Sequence, residues 1–249
     1  MELDLTVAGW LLLIAVTFTG ALAQSAIGFG YSLLTVPFYL VLLPVEVAIQ
    51  LGMFLTFAIT LMMVVKVASD VPRQDAKTLM LASIVGFPLG LWFFIYADAQ
   101  LIRLAVAITI IVALLSKLLK KKSQSPSQYD SKLAWGCGVF SGMMVTSLAM
   151  AGPALAIYCQ FTGAGKNATR SIIFVVFAFS YIVAIFMQSL FVGLKPMSFA
   201  AAAWMLPVVI LGTFLGDRVS SIVSETVFSR LISGMLIAIA LYLLLNVFV

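Results

Sequence analysis

Apolar residues run along this chain in stretches of up to about two dozen, and the polar positions between them fall into short clusters instead of alternating with them. About 20 apolar residues in a row can cross roughly 30 Å of hydrocarbon as a helix, so the pattern predicts helices and no strands. In the first half they are expected over Leu5–Ala26, Tyr31–Leu43, Val45–Val65, Thr78–Ala97 and Leu101–Leu119. In the second half they are expected over Leu133–Met150, Pro153–Gln160, Ala168–Val192, Ser198–Leu215 and Thr226–Val249. Between the halves lie Lys120, Lys121 and Lys122 and then SQSPSQYDS from Ser123 to Ser131, whose Ser, Gln, Pro and charge mark a solvated loop. The organisation is a transmembrane unit over residues 1–119, a cytoplasmic linker over 120–132 and a second transmembrane unit over 133–249.

The two units repeat one another. FTGALAQSA from Phe18 corresponds to FSGMMVTSL from Phe140, with Gly30 meeting Gly152 and Leu33 meeting Leu155 at the same offset. VAIQLGMFLTFAIT from Val47 corresponds to NATRSIIFVVFAFS from Asn167, which sets Gln50 opposite Arg170, and GFPLG at Gly86 corresponds to GTFLG at Gly212. Tyr31–Leu43 and Pro153–Gln160 are too short to span comfortably, and each follows a glycine-containing break. Each reads as a re-entrant hairpin or a discontinuous helix, and the pair it belongs to makes no net crossing. Every repeat then crosses an odd number of times, so the second is inverted relative to the first. Charge agrees with this: with the N-terminus outside, twelve of the 14 Lys and Arg fall on one face and only Arg103 and Lys195 on the other, as the positive-inside rule demands.

Composition narrows the class. Charged residues are 9% of the 249 positions and hydrophobic ones 63%, against about a quarter charged in a soluble domain, so the expected fold is an all-α polytopic membrane protein. The net charge of +5 lies beside hydrophobic ends without interleaved stacking aromatics, so it marks topology and not nucleic-acid binding. With no His in the chain, Cys137 and Cys159 suggest packing instead of a metal site or a disulfide framework. Neither metal nor other cofactor is expected. The N-terminus carries Glu2 and Asp4 and no Lys or Arg, the wrong flank for a signal peptide, so the first segment is expected to stay in the mature protein.

Candidate chemistry gathers at the breaks, Gly28-Phe29-Gly30 and Ala151-Gly152-Pro153. Glycine lets the chain turn within the bilayer, and proline suits the first turn of the helix that follows. Amides at such a helix start carry partial positive charge and can hold an anion without a buried lysine. Gln24, Ser25, Tyr31, Ser32, Thr146 and Ser147 add polar groups beside them, with Pro153 opening the second limb. Arg170, one turn inside its span and opposite Gln50, offers a fork suited to an oxyanion or, alternatively, a cytoplasmic topology anchor. Arg103 and Arg230 read as structural, paired with Asp98 and Asp217. Glu46, Asp98, Asp217 and Glu225 fall near helix ends, so no carboxylate stands out as a proton carrier in mid-membrane. No phosphate loop, nucleophile elbow or zinc-protease helix is present, which leaves ATP-driven transport and hydrolysis without support.

On FTGALAQSAIGFGYSLLTVP, FSGMMVTSLAMAGPALAIY and the GxxLG helices that follow, the chain resembles the TauE/SafE family of sulfite exporters and sulfonate permeases. Gly28, Gly30 and Pro37 fit the family's glycine-rich turn, and Gly152 and Pro153 its Gly-Pro break. The usual glycine run is replaced at Tyr31 and at Ala149, Met150 and Ala151. The resemblance implies a multi-pass transporter of the bacterial inner membrane that exports sulfite or a small organosulfonate, with a homo-oligomer allowed. The alternatives are an uptake permease for another small solute and a non-transporting membrane scaffold or sensor; an enzyme is not expected.

Overall fold

A computed structural model describes residues 6–118 and 129–219, and among them the chain is all helix apart from short connections. The helices are α1 Val7–Ile27, α2 Tyr31–Leu42, α3 Val45–Val67, α4 Arg73–Tyr96, α5 Ala99–Leu118, α6 Ser131–Leu148, α7 Gly152–Thr162, α8 Lys166–Phe191 and α9 Pro196–Val219, with one 3-10 turn at Ala68–Asp70. Five of these described helices, α1, α3 extended through that turn, α4, α8 and α9, are long and apolar enough to cross a membrane. The last expected segment, Thr226–Val249, lies outside the described residues, as do Glu225, Arg230 and most of the linker.

Most expected boundaries fall within two residues of the observed ones. The exceptions are the start of α4, at Arg73 instead of Thr78, and the end of α9, at Val219 instead of Leu215; the first turn of α4 is built from Arg73, Gln74, Asp75 and Lys77, and a hydrophobic pattern does not register a polar helix start. At the far end α9 carries Asp217 and Arg218 in its last turn for the same reason. The short α7 also runs on to Thr162, where Gly163 stops it in a left-handed conformation at φ 71°.

Large apolar side chains stand exposed along these helices, among them Trp92, Tyr96, Phe186, Phe191 and Trp204. In water such a surface would aggregate; in a bilayer it is the lipid-facing side. Tyr39, Phe87, Phe174, Phe177 and Tyr181 fill the interior instead.

The broadest helix seams join the two halves of the chain: α4 lies along α6, α1 along α9, and α3 along α8. Small residues make the first two possible. A Cβ on Gly86 or Gly90 would run into the Val139 and Met143 carbonyls of α6, and one on Gly212 or Gly216 would run into Phe18, Ala21 or Leu22 of α1. Backbones that approach this closely gain dispersion contacts that a lipid-facing leucine surface cannot match. In the third seam the partners run antiparallel, since Gln50 near the start of α3 bonds Gln188 near the end of α8 while Ser171 near the start of α8 donates to the Asp70 carbonyl beyond the end of α3.

Candidate functional site

The first break begins where α1 stops at Ile27. Gly28 turns with φ 106° and sends its N–H back to the Gln24 carbonyl at 2.7 Å, and Gly30 leads into α2 with φ 120°. Both angles lie where an L side chain is strained. The Gln24 side chain bridges the turn by accepting the Tyr31 N–H on Oε1 at 3.2 Å, while its Nε2 is buried and finds no hydrogen-bond partner.

At the second break α6 stops at Leu148, and Ala149 takes a left-handed φ of 59° without being glycine. Its N–H returns to the Val145 carbonyl, the closing bond of an αL helix end, and that of Met150 reaches further back to the Met144 carbonyl. Tyr181 donates to the Ala149 carbonyl at 2.6 Å and Ser141 to the Ala151 carbonyl at 3.3 Å. α7 then starts at Gly152 with Pro153 in its first turn, where the missing N–H costs no helical bond.

The breaks meet. A Cβ on Gly152 would sit 3.2 Å from the Phe29 Cβ, and between the two turns lies a cavity of about 10 Å³ lined by Gln24, Gly30, Ser32 and Leu33 from one side and Met150, Gly152, Pro153, Phe177 and Tyr181 from the other. That is space for about one water. Neither helix start has a capping bond from its own N-cap residue; at α2 the Gln24 oxygen takes the Tyr31 N–H, and both starts present the positive end of their peptide dipoles. No charged residue lines the cavity. Ser32 is tied to Thr56 at 2.6 Å and to Tyr181 at 3.4 Å, which fixes the hydroxyl side of the wall.

Of the twelve residues singled out from sequence, Gln24, Gly30, Ser32, Gly152 and Pro153 line this cavity. Gly28 shapes the turn. Tyr31 contributes its backbone N–H there, but its hydroxyl joins a buried chain with Tyr39 at 2.7 Å and, through Tyr39, Thr17 at 2.6 Å. Ser25 and Ser147 donate to carbonyls of their own helices, and Thr146 bonds the Phe87 carbonyl of α4. Gln50 has both its oxygen and its nitrogen occupied, bonding Gln188, the Gly193 carbonyl, the Lys195 N–H and the Ser198 hydroxyl. Arg170 stands behind the first break: Nη2 donates to the Ser25 carbonyl at 2.9 Å and to Asp217 at 3.3 Å, with Lys66 on the other Asp217 oxygen at 2.6 Å. The pairing of Asp217 expected from sequence is with Arg230, which lies outside the described residues; Lys66 and Arg170 hold it here.

Sequence reasoning passes over Tyr181 and Gln188, although isolated polar groups seven residues apart in an apolar helix share one face and mark that face as interior. It also passes over Asp75. This carboxylate is buried in the first turn of α4 and accepts a short hydrogen bond from Tyr158 of α7; a start of α4 at Thr78 puts it in a loop.

A comparison with curated proteins found no match, and one with solved structures found none. Residues 12–243 match the family model described as sulfite exporter TauE/SafE, and the chain belongs to that family of membrane transporters.

Proposed function

We propose that this protein exports sulfite or a small organosulfonate anion across a bacterial inner membrane, through a site between two inverted helix breaks. The observation that carries this is the convergence of two uncapped helix starts and the unpartnered Gln24 amide on one small cavity free of charged side chains. Backbone amides and an amide NH2 are donors only toward an anion, and a neutral wall binds weakly enough to release it. The cavity admits about one water, and sulfite has four heavy atoms. The described state is therefore closed, and the starts of α2 and α7 separate when the anion enters. Outward movement of one negative charge from an interior at negative potential gains roughly 2.3 kcal/mol per 100 mV, enough to drive export without ATP.

The antiparallel run of α3 and α8 supports the inverted arrangement, because these are corresponding helices of the two repeats. Cysteine labels at Ser69, after α3, and at Lys195, after α8, are expected on opposite faces of the membrane; labelling from one face alone removes the inversion.

The deciding experiment is flux of sulfite, sulfoacetate, taurine and sulfate in proteoliposomes at a set potential. Export of sulfite or a sulfonate that rises with inside-negative potential is the expected result. Accumulation against that potential would make the protein an uptake permease, and no flux of any of the four would remove the substrate assignment.

A further inference from the structure

Each break frees a carbonyl. At the second, the left-handed turn takes the Met150 N–H to the Met144 carbonyl, so the Thr146 carbonyl, which that N–H would join in a continuing helix, is left without its intrahelical donor. Gln188 supplies one: its Nε2 donates to the Thr146 carbonyl at 3.1 Å. Its Oε1 in turn accepts Gln50 Nε2 at 3.3 Å, and Gln50 is locked to the connection after α8 and the first turn of α9 by the Gly193 carbonyl, the Lys195 N–H and the Ser198 hydroxyl. At the first break the freed Ser25 carbonyl takes Arg170. Both donors belong to α8, and at 18 residues apart they lie about 27 Å from each other along its axis. Between them α8 contributes Phe177 and Tyr181 to the cavity wall.

Resting on the anion-site reading above, we infer that Gln188 is a positioning residue for that site: it holds the carbonyl end of α6, and hence the turn that aims the start of α7 into the cavity. Its chemistry has to be a neutral amide. A carboxylate there would face the Thr146 carbonyl acceptor to acceptor at the negative end of a helix dipole, and an apolar side chain would leave the Thr146 carbonyl without its donor and Gln50 short of one of its four bonds in a buried setting. Gln188 is fully buried and does not line the cavity, so it acts on the anion only through the turn.

The test is sulfite flux in proteoliposomes with the purified full-length chain, comparing Gln188→Met, Gln188→Glu and Gln50→Met with Gly152→Val in the same preparation. Loss of the Thr146 bond is expected to raise the sulfite KM about tenfold in both Gln188 variants, with Vmax per inserted protein changed far less. Gln50→Met, which leaves Gln188 on Thr146, should raise it by a smaller factor, and the double Met variant should be no worse than Gln188→Met alone. A purely structural role lowers the inserted fraction or the melting temperature and leaves the KM of the surviving protein at wild type. A KM within about twofold of wild type in Gln188→Met overturns the inference; where that variant fails to insert, the same KM threshold applied to Gln188→Glu decides. If Gly152→Val is inactive while Gln188→Met keeps a wild-type KM, only the positioning role is lost. If Gly152→Val transports normally, the anion-site reading fails and this inference fails with it.

Discussion

The two breaks perform the same local task with different chemistry. Both end a helix in a left-handed turn, both leave the next helix start uncapped, and both have a freed carbonyl taken by α8. At the first break glycine makes the turn and a guanidinium takes the carbonyl, backed by Asp217 and Lys66. At the second, alanine makes the turn and an amide takes the carbonyl, backed by another amide. Charge sits where Lys66 and Arg170 meet on Asp217, the end expected to face the cytoplasm. The uncharged version sits at the opposite end, where Lys195 and Arg103 are the only basic residues expected. In the inverted arrangement proposed above, a repeated unit placed in two orientations would meet two different interfaces, and its anchors would diverge even where its backbone does not.

The largest expected effects separate the two glycines nearest the cavity. Gly152→Val drives a side chain from the cavity wall into Phe29 of the facing turn and is expected to abolish flux while inserted protein persists. Gly30 has open space around its missing Cβ and a φ of 120°, so Gly30→Val acts through backbone strain of about 1–3 kcal/mol and is also expected to abolish flux. The smaller Gly30→Ala and Gly152→Ala pair sharpens the distinction. At Gly30 the loss should follow melting temperature, and at Gly152 it should appear as weaker sulfite binding with the melting temperature unchanged.

Asp217→Asn leaves Lys66 and Arg170 without their shared carboxylate. Because Asp217 is partly exposed, the expected destabilisation is only about 1 kcal/mol, read as a shift in detergent melting, and it should shrink in high salt. Gln50→Met at the neutral anchor should show no such salt dependence. Equal salt sensitivity of the two variants would erase the contrast between the anchors.

Arg170→Lys keeps the charge but loses the planar fork that reaches the Ser25 carbonyl and Asp217 together. An anchor role predicts a fall in flux of roughly fivefold, corresponding to about 1 kcal/mol. A loss as deep as that of Gly152→Val would place the guanidinium on the anion itself. The smallest effect is expected from Ala149→Gly, which relieves a left-handed alanine and should stabilise by about 1 kcal/mol or less, seen as a modest rise in melting temperature without loss of flux.

Much of the fold is legible in the sequence because it rests on local quantities. Transfer of apolar side chains out of water sets where helices run and the breaks between apolar stretches set where they stop, so α1, α2, α3 and α6 are expected within two residues of their observed ends. The polar first turn of α4 is not legible, since Arg73 and Asp75 resemble loop residues until the burial of Asp75 against Tyr158 is seen. At the site, Gln24, Gly30, Ser32, Gly152 and Pro153 can be named from the repeated breaks. Tyr181 cannot, because nothing local says that its hydroxyl reaches Ala149, 32 positions away.

By itself the sequence determined that this is an oil-rich helical chain of two similar units, each interrupted at a glycine-bearing turn, because hydrophobicity and backbone freedom act within a few residues. Which helices face one another, and which donor takes the carbonyl that each turn releases, was decided only by tertiary structure. A freed carbonyl accepts any donor that packing brings within about 3 Å. Packing brings Arg170 to Ser25 across 145 positions and Gln188 to Thr146 across 42, separations at which the local pattern carries no information.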